Sequence, residues 1–342
     1  MSSSVELLEA LPAGTATDSW KKSLTPELRA RIAELHRLTL WTRAKILVLL
    51  AIWAVFALAA IHVDSLLVRV PCWIVIGLAL HGLGVMMHEG AHGNLFHVGW
   101  LDRPVGFLCG LPVFFPCSSY RASHFLHHKY ENTLRDPDNL AANFPNPVLR
   151  AMVFYTWFLI GMPAYIALVT VTGPFRARGI RERLACVIEP LLIAAFYFGL
   201  FSAAAHYHFG DLLINGWAWG LLFAVLIANF RGLAEHTQLP QQSPPDPLQS
   251  TRSVRSNGVI SFFFSNQNYH LDHHLFTGVP WNNLSRINAL LRPMYQDRRA
   301  AVVPGYWQWI VGAFRFGPNR SATYADGEPV WDPDRLVAPS GE

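Results

Sequence analysis

PCWIVIGLALHGLGVMMHEGAH, residues 71–92, is the stretch on which the reading turns. Its apolar part, 71–87, carries no Asp, Glu, Lys or Arg. It comes close to the roughly 20 residues that an α-helix needs to cross a bilayer. It ends directly in His88-Glu89-Gly90-Ala91-His92. Residues four apart lie on one helix face, so both imidazoles can reach one site. Neutral imidazole is a common metal ligand, and the pair points to a metal at the end of a membrane helix.

Four further apolar stretches have comparable length: 46–63, 151–172, 184–204 and 212–230. A fifth, 105–116, is too short to span and is broken by glycine and proline. The 342-residue chain is 52% hydrophobic and only 15% charged, with a mean hydropathy of +0.24. A soluble domain carries about 25% charged residues, so the deficit points to lipid as part of the solvent. The net charge of +4, without a basic run, gives no basis for nucleic-acid binding. Cys72, Cys109, Cys117 and Cys186 form no C-x-x-C pair, which argues against a zinc knuckle or a disulfide framework.

Loop charge orients the spans. Residues 1–40 hold no signal-peptide core, and Lys21, Lys22, Arg29, Arg31, Arg37, Arg43 and Lys45 precede the first span. The positive-inside rule places them in the cytoplasm. Arg176, Arg178, Arg181 and Arg183 place the loop 173–183 there too. Stretch 151–172 then has cytoplasmic flanks at both ends and cannot cross once. Gly161-Met162-Pro163 interrupts it, which suits a re-entrant or interfacial hairpin. The expected fold is an all-α integral membrane protein with four transmembrane helices, interfacial or re-entrant helices and a cytoplasmic cap. The cap holds a histidine-rich di-metal site. Both termini and that site are expected in the cytoplasm, at a bacterial cytoplasmic membrane. Three segments follow: a cytoplasmic amino-terminal segment, 1–45; a membrane domain with the histidine clusters, 46–291; and a cytoplasmic tail, 292–342. Residues 240–247 read as a proline-rich loop. The tail aromatics Tyr306, Trp307, Trp309, Phe314 and Phe316 fit either an interfacial cap or ordinary packing.

Two more clusters repeat a rarer spacing. They are His124-Phe125-Leu126-His127-His128 and His270-Leu271-Asp272-His273-His274; His236 stands alone beyond the fourth span. Eight or nine imidazoles exceed the four ligands of one tetrahedral zinc, so two metals sharing them is the economical solution. Glu89, Asp136, Asp138, Glu235 and Asp272 are acids near enough in sequence to orient the rings. His81 lies two turns before His88, too deep to be a ligand beside it. A tunnel or outer-shell role was the expectation for it. His36, His62, His97, His206 and His208 fall at surface or external positions, with His97 close to His92.

Taken together, these pieces resemble the membrane fatty acid desaturase family. The match runs through His88-Glu89-Gly90-Ala91-His92-Gly93-Asn94-Leu95-Phe96 and Tyr120-Arg121. It continues through His124 to His128, Asn132-Thr133 and Asp136-Pro137-Asp138. It ends with Asn268-Tyr269-His270-Leu271-Asp272-His273-His274-Leu275-Phe276, Val279-Pro280-Trp281 and Asn283-Leu284. The resemblance implies a di-iron centre held by His88, His92, His124, His127, His128, His236, His270, His273 and His274. It also implies dioxygen as co-substrate in attack on an unactivated C–H bond of a fatty acyl chain or lipid, giving a double bond. A hydroxylase or ketolase acting on a carotenoid, sphingoid or other lipophile is the alternative within the superfamily; a zinc hydrolase or sensor lies outside it. Some relatives carry an asparagine where this chain has Gly232, for which Asn229 or Asn268 could substitute. No G-x-G-x-x-G unit and no fused haem or ferredoxin motif is present, so a separate electron donor of ferredoxin or small haem protein type is implied. Arg252, Arg255, Arg286, Arg292, Arg298 and Arg299 are candidates for its docking face.

Overall fold

A computed structural model describes residues 16–240, 246–325 and 328–336. The interior of the proline-rich loop and the end of the tail lie outside the described residues. The helices are α1 (Ala16–Lys22), α2 (Pro26–Glu34), α3 (Leu40–His62), α4 (Leu66–His92), α5 (Gly99–Gly110), α6 (Cys117–Tyr130) and α7 (Leu140–Asn143). They continue as α8 (Pro147–Arg176), α9 (Gly179–His206), α10 (Gly210–His236), α11 (Gly258–Phe263), α12 (His270–Leu275), α13 (Leu284–Asp297) and α14 (Tyr306–Phe316). Two small sheets complete the described residues. β1 (Ser253–Val254) pairs in parallel with β2 (Val302–Val303), and β3 (Arg320–Ala325) pairs antiparallel with β4 (Glu328–Leu336).

Five helices, α3, α4, α8, α9 and α10, are long and apolar enough to cross a membrane. The chain divides into two compact units. The first, here the membrane unit, comprises residues 39–123 and 159–229; the second, the histidine unit, comprises 1–38, 124–158 and 230–342.

Within the membrane unit, glycine lets helix backbones touch. A Cβ at Gly77 of α4 would sit 2.5 Å from the Phe223 Cβ and 2.9 Å from the Gly220 carbonyl of α10. A Cβ at Gly90 would sit 2.7 Å from both the Asp102 carbonyl and the Gly106 Cα of α5. Such crossings are how helices associate where lipid removes the hydrophobic drive. Residues Ile214–Ala218 of α10 form a π-helical turn. Its carbonyls meet indole donors: Trp53 Nε1 reaches Gly216 O at 2.8 Å and Trp73 Nε1 reaches Asn215 O at 3.0 Å. Leu67, Phe175 and Phe198 are 89%, 84% and 76% exposed, as lipid-facing side chains are and water-facing ones rarely are.

One expectation is overturned. No hairpin breaks the third apolar stretch; α8 is a continuous helix through Gly161-Met162-Pro163. The Met162 amide donates to the side-chain oxygen of Asn229 on α10. Proline is tolerated in an apolar helix where neighbouring groups accommodate the local backbone, and the Met162 amide beside Pro163 finds Asn229.

The histidine unit is built on α13, whose Leu284, Ile287, Leu291 and Tyr295 recur on one buried face. They pack against Trp20 of α1, Leu24 between the helices and Ile32 of α2, and against Leu271 and Leu275 of α12. Each fully buried aliphatic side chain there contributes about 1.5–3 kcal/mol. A second core joins Phe154 of α8, Leu233 and Ala234 of α10, and Trp309 and Ala313 of α14.

Replacing Gly90 by Val should force α4 and α5 apart, because the atoms in the way are backbone. We expect a loss of about 1–3 kcal/mol in thermal unfolding in detergent. Gly84→Ala, whose Cβ would meet only Val113 at 3.9 Å, should leave the transition unchanged. An unshifted Gly90→Val transition would contradict the close crossing.

Candidate metal centre

In the membrane unit α4 runs unbroken through His88 and His92, whose ring centroids are 4.7 Å apart. Glu89 Oε1 lies 3.3 Å from His88 Nδ1. Beyond His92 the chain turns at Gly93, whose φ of +79° favours glycine. Asp102, itself buried, then accepts the amides of Leu95, Phe96 and Val98 at 2.9, 2.9 and 2.7 Å. The start of α6 is set by Glu189 of α9, which accepts from the Ser118 amide at 2.7 Å and its hydroxyl at 2.5 Å. A carboxylate there satisfies open helix donors and suits the dipole. Arg121 donates to Ala91 O at 3.0 Å and to Glu182 at 2.8 Å, tying α6 to the last turn of α4.

In the histidine unit, the second and third clusters and His236 converge. The His270 Nε2 lies 2.8 Å from His236 Nε2 and 3.1 Å from His274 Nε2. His127 joins them, its ring centroid 4.7 Å from that of His236 and 5.0 Å from that of His274. Ligand atoms of His127, His236 and His274 lie within 4.8 Å of one another. A second group stands beside the first. His124 and His128 bring their Nε2 atoms to 2.9 Å, and His273 offers a ligand atom within 4.8 Å of theirs. The His128 and His274 rings, 4.1 Å apart by centroid, join the two groups.

Carboxylates stand behind the first group. His127 Nδ1 is 2.8 Å from Asp136 Oδ1 and 3.9 Å from Asp138. His274 Nδ1 is 3.0 Å from Glu131 Oε1, and His270 Nδ1 is 3.5 Å from Glu235 Oε2. An ionised carboxylate can only accept, so Asp136 holds a ring hydrogen on Nδ1 of His127 and leaves Nε2 facing the site. His127 Nε2 is buried without a hydrogen-bond partner. At 2.8–3.1 Å each close pair of ring nitrogens can share one hydrogen, and a cation that displaces it meets converging lone pairs. Two nitrogens at right angles on one metal, at about 2.1 Å bonds, lie about 3.0 Å apart. The donor set therefore fits a transition-metal ion of the imidazole-binding kind.

Seven of the nine histidines expected as ligands thus come together in the histidine unit, and His88 and His92 form a pair in the membrane unit. Three outcomes differ from the reading of the sequence. Glu131, absent from the expected acids, pairs with His274; its position just past His127-His128 was the available signal. Asp272 faces away from the rings' work, accepting from Tyr295 at 2.8 Å, Asn288 at 2.9 Å and Ser253 at 3.2 Å, and so anchors α12 to α13 and β1. Arg252 is fully buried and donates to Ala234 O at 2.7 Å and Gln238 O at 3.2 Å. It closes the end of α10 and cannot dock a partner, while Arg255, Arg286, Arg292, Arg298 and Arg299 are exposed. The amide of Asn268 donates to Val254 O at 3.1 Å. His81 is buried within α4; His62, His206 and His208 are exposed.

The rings differ in charge. Burial opposes a charge on His127, but Asp136, bonded to it, prevails and raises it to about 9. Burial and the neighbouring histidines hold His274 well below its ordinary value, hence neutral. Burial pushes Glu131 up to about 8, against the pull of His127. Below pH 9 the metal-free His127 carries a proton that an incoming cation must displace, and the cation also pulls Glu131 down. Metal affinity should therefore rise from pH 6 to pH 8, by up to about tenfold per pH unit for each proton displaced. Metal titration of the purified protein across that range checks it; a flat profile would show that no such proton is displaced.

Comparison with known proteins agrees with this geometry. The model of the family "Fatty acid desaturase" matches residues 64–306. The chain is 26% identical over 276 residues to a Delta(12)-fatty-acid desaturase of Arabidopsis thaliana, covering 71% of this chain and 70% of that one. It is 32% identical over 123 residues to an sn-1 oleoyl-lipid 12-desaturase of a Picosynechococcus strain, covering 36% and 34%. It is 26% identical over 262 residues to a Delta(12) acyl-lipid conjugase of Impatiens balsamina, covering 66% of each. The matched stretch spans nearly three quarters of this chain and carries all three histidine clusters, and the chain belongs to the fatty acid desaturase family of oxidoreductases.

Proposed function

We propose that this protein uses two iron ions, dioxygen and electrons from a separate donor protein to introduce a double bond into a fatty acyl chain held in a lipid. The observation that carries the reading is the convergence of His236, His270 and His274 Nε2 atoms at 2.8–3.1 Å in front of a wall of carboxylates. In this reading His127, His236, His270 and His274 hold one ion. His124, His128 and His273 hold the other together with His88 and His92. When bound, the iron pair supplies the oxidising power for removing hydrogen from an unactivated carbon. The chain's own part is orientation: Asp136, Glu131 and Glu235 keep the rings turned inward, and apolar walls seat a chain that offers no polar handle. The relatives that act at position 12, one of them on an oleoyl lipid, make an oleoyl lipid the first substrate to assay.

The proposed topology has four crossings, by α3, α4, α9 and α10, with both termini and the histidines in the cytoplasm of a bacterial membrane. Two observations favour it. His127 and His236 meet, yet α8, α9 and α10 lie between them in the chain, and three crossings would separate them. Arg176, at the end of α8, also bonds the Ser123 hydroxyl at 2.6 Å, one residue before His124, which favours a cytoplasmic end there. In this topology α8 runs along the membrane surface. The exposed Arg255, Arg286, Arg292, Arg298 and Arg299 offer an acidic electron donor its docking face.

Lipid mass spectrometry of cells with and without the protein should show an acyl chain lighter by two hydrogens. A product heavier by one oxygen would instead make this a hydroxylase. Cysteines placed in 173–183 should label only from the cytoplasm and those in 205–211 only from outside; the reverse at 173–183 would refute the four-span arrangement.

A further inference from the structure

Two carboxylates near the rings, Asp136 and Glu235, the latter 3.5 Å from His270 Nδ1, are seated by groups of their own segment. Asp136 binds His127 and otherwise takes the amides of Asn132 and Asp138 at 2.8 and 2.9 Å, closing the loop on which it sits. Glu235 is bonded by Arg231 at 3.0 Å, one turn back on the same helix. Glu131 is different. It leaves the end of the second histidine cluster and reaches His274 of the third, at 3.0 Å. Both side chains are shielded, with 10% and 1% of their surfaces exposed. The hydroxyl of Ser250, from the segment that follows α10, hydrogen-bonds Glu131 as well. One carboxylate thus joins three segments that carry or adjoin ligands. The ring it holds stands between the two groups, its centroid 4.1 Å from His128 and 4.6 Å from His270.

We propose that Glu131 is a positioning residue: its carboxylate, 3.0 Å behind His274 Nδ1, favours the ring hydrogen on that nitrogen and so keeps the Nε2 lone pair on one of the two metal positions. The inference rests on the two-metal reading above. Without Glu131 the ring can turn or change tautomer, presenting N–H where the cation needs a lone pair. Glu131→Gln is the telling change, since it keeps size and shape. A glutamine can turn its NH₂ to Nδ1 and stabilise the wrong tautomer, which the carboxylate cannot.

Cobalt(II) titration of the purified full-length protein in detergent separates the possibilities. The wild type should take up two equivalents. Glu131→Gln should bind one as the wild type does and the other about 10–100-fold more weakly, the range typical for loss of a ligand's hydrogen-bond partner. Glu131→Asp, which keeps the charge, should recover part of the loss. Thermal unfolding of the metal-free Glu131→Gln protein should match the wild type. A contact that merely braces the fold would instead shift unfolding and leave cobalt uptake alone. Two equivalents at wild-type affinity in Glu131→Gln would overturn the role of Glu131 while sparing the two-metal reading. Failure of the wild type to take up cobalt would overturn both.

Discussion

Imidazole nitrogens brought within 2.8–3.1 Å of one another in a buried space set the constraint on which the rest of this structure depends. Each ring must be kept turned toward the others. Asp136 hydrogen-bonds His127, and Glu131 and Glu235 stand 3.0 and 3.5 Å behind His274 and His270. The carboxylates must in turn be seated, and Arg231, Ser250 and the turn amides around Asp136 seat them. Such a nest cannot be built on one short segment. It requires α6, the end of α10 and α12 to meet, and the remaining architecture brings them together.

The devices that do so are local and mostly polar. Glu189 fixes the start of α6, and Arg121 ties α6 to the last turn of α4. Asp272 pins α12 onto α13 and β1, so that Leu271 and Leu275 enter the core while His270, His273 and His274 face the site. Arg252 satisfies the last carbonyls of α10 next to His236. A six-residue helix such as α12 has little stability of its own, and these bonds are what give its three histidines fixed directions.

Much of this was legible in the sequence because it is periodic or local. Apolar length marked the five long helices, and helical spacing marked all three clusters. What escaped depends on partners from elsewhere in the chain. Gly161-Met162-Pro163 reads as a break, yet α8 continues through it, with the Met162 amide bonded to Asn229, 67 residues away. Arg252 reads as a surface charge, since nothing local shows that carbonyls at and just beyond the end of α10 will bury it. Glu131 has no special spacing to the second cluster; its meaning lies in His274. Asp272 sits between ligands yet serves the scaffold, a choice made by Tyr295 and Asn288 of α13.

The central proposal is that two irons bind among the histidines of the three clusters and His236. Iron analysis combined with iron-edge X-ray absorption on the purified, iron-loaded full-length protein tests it most directly. Two irons per chain, each surrounded by nitrogen neighbours with the outer-ring scattering of imidazole, is the predicted result. A single iron per chain, or a first shell without imidazole, would contradict it.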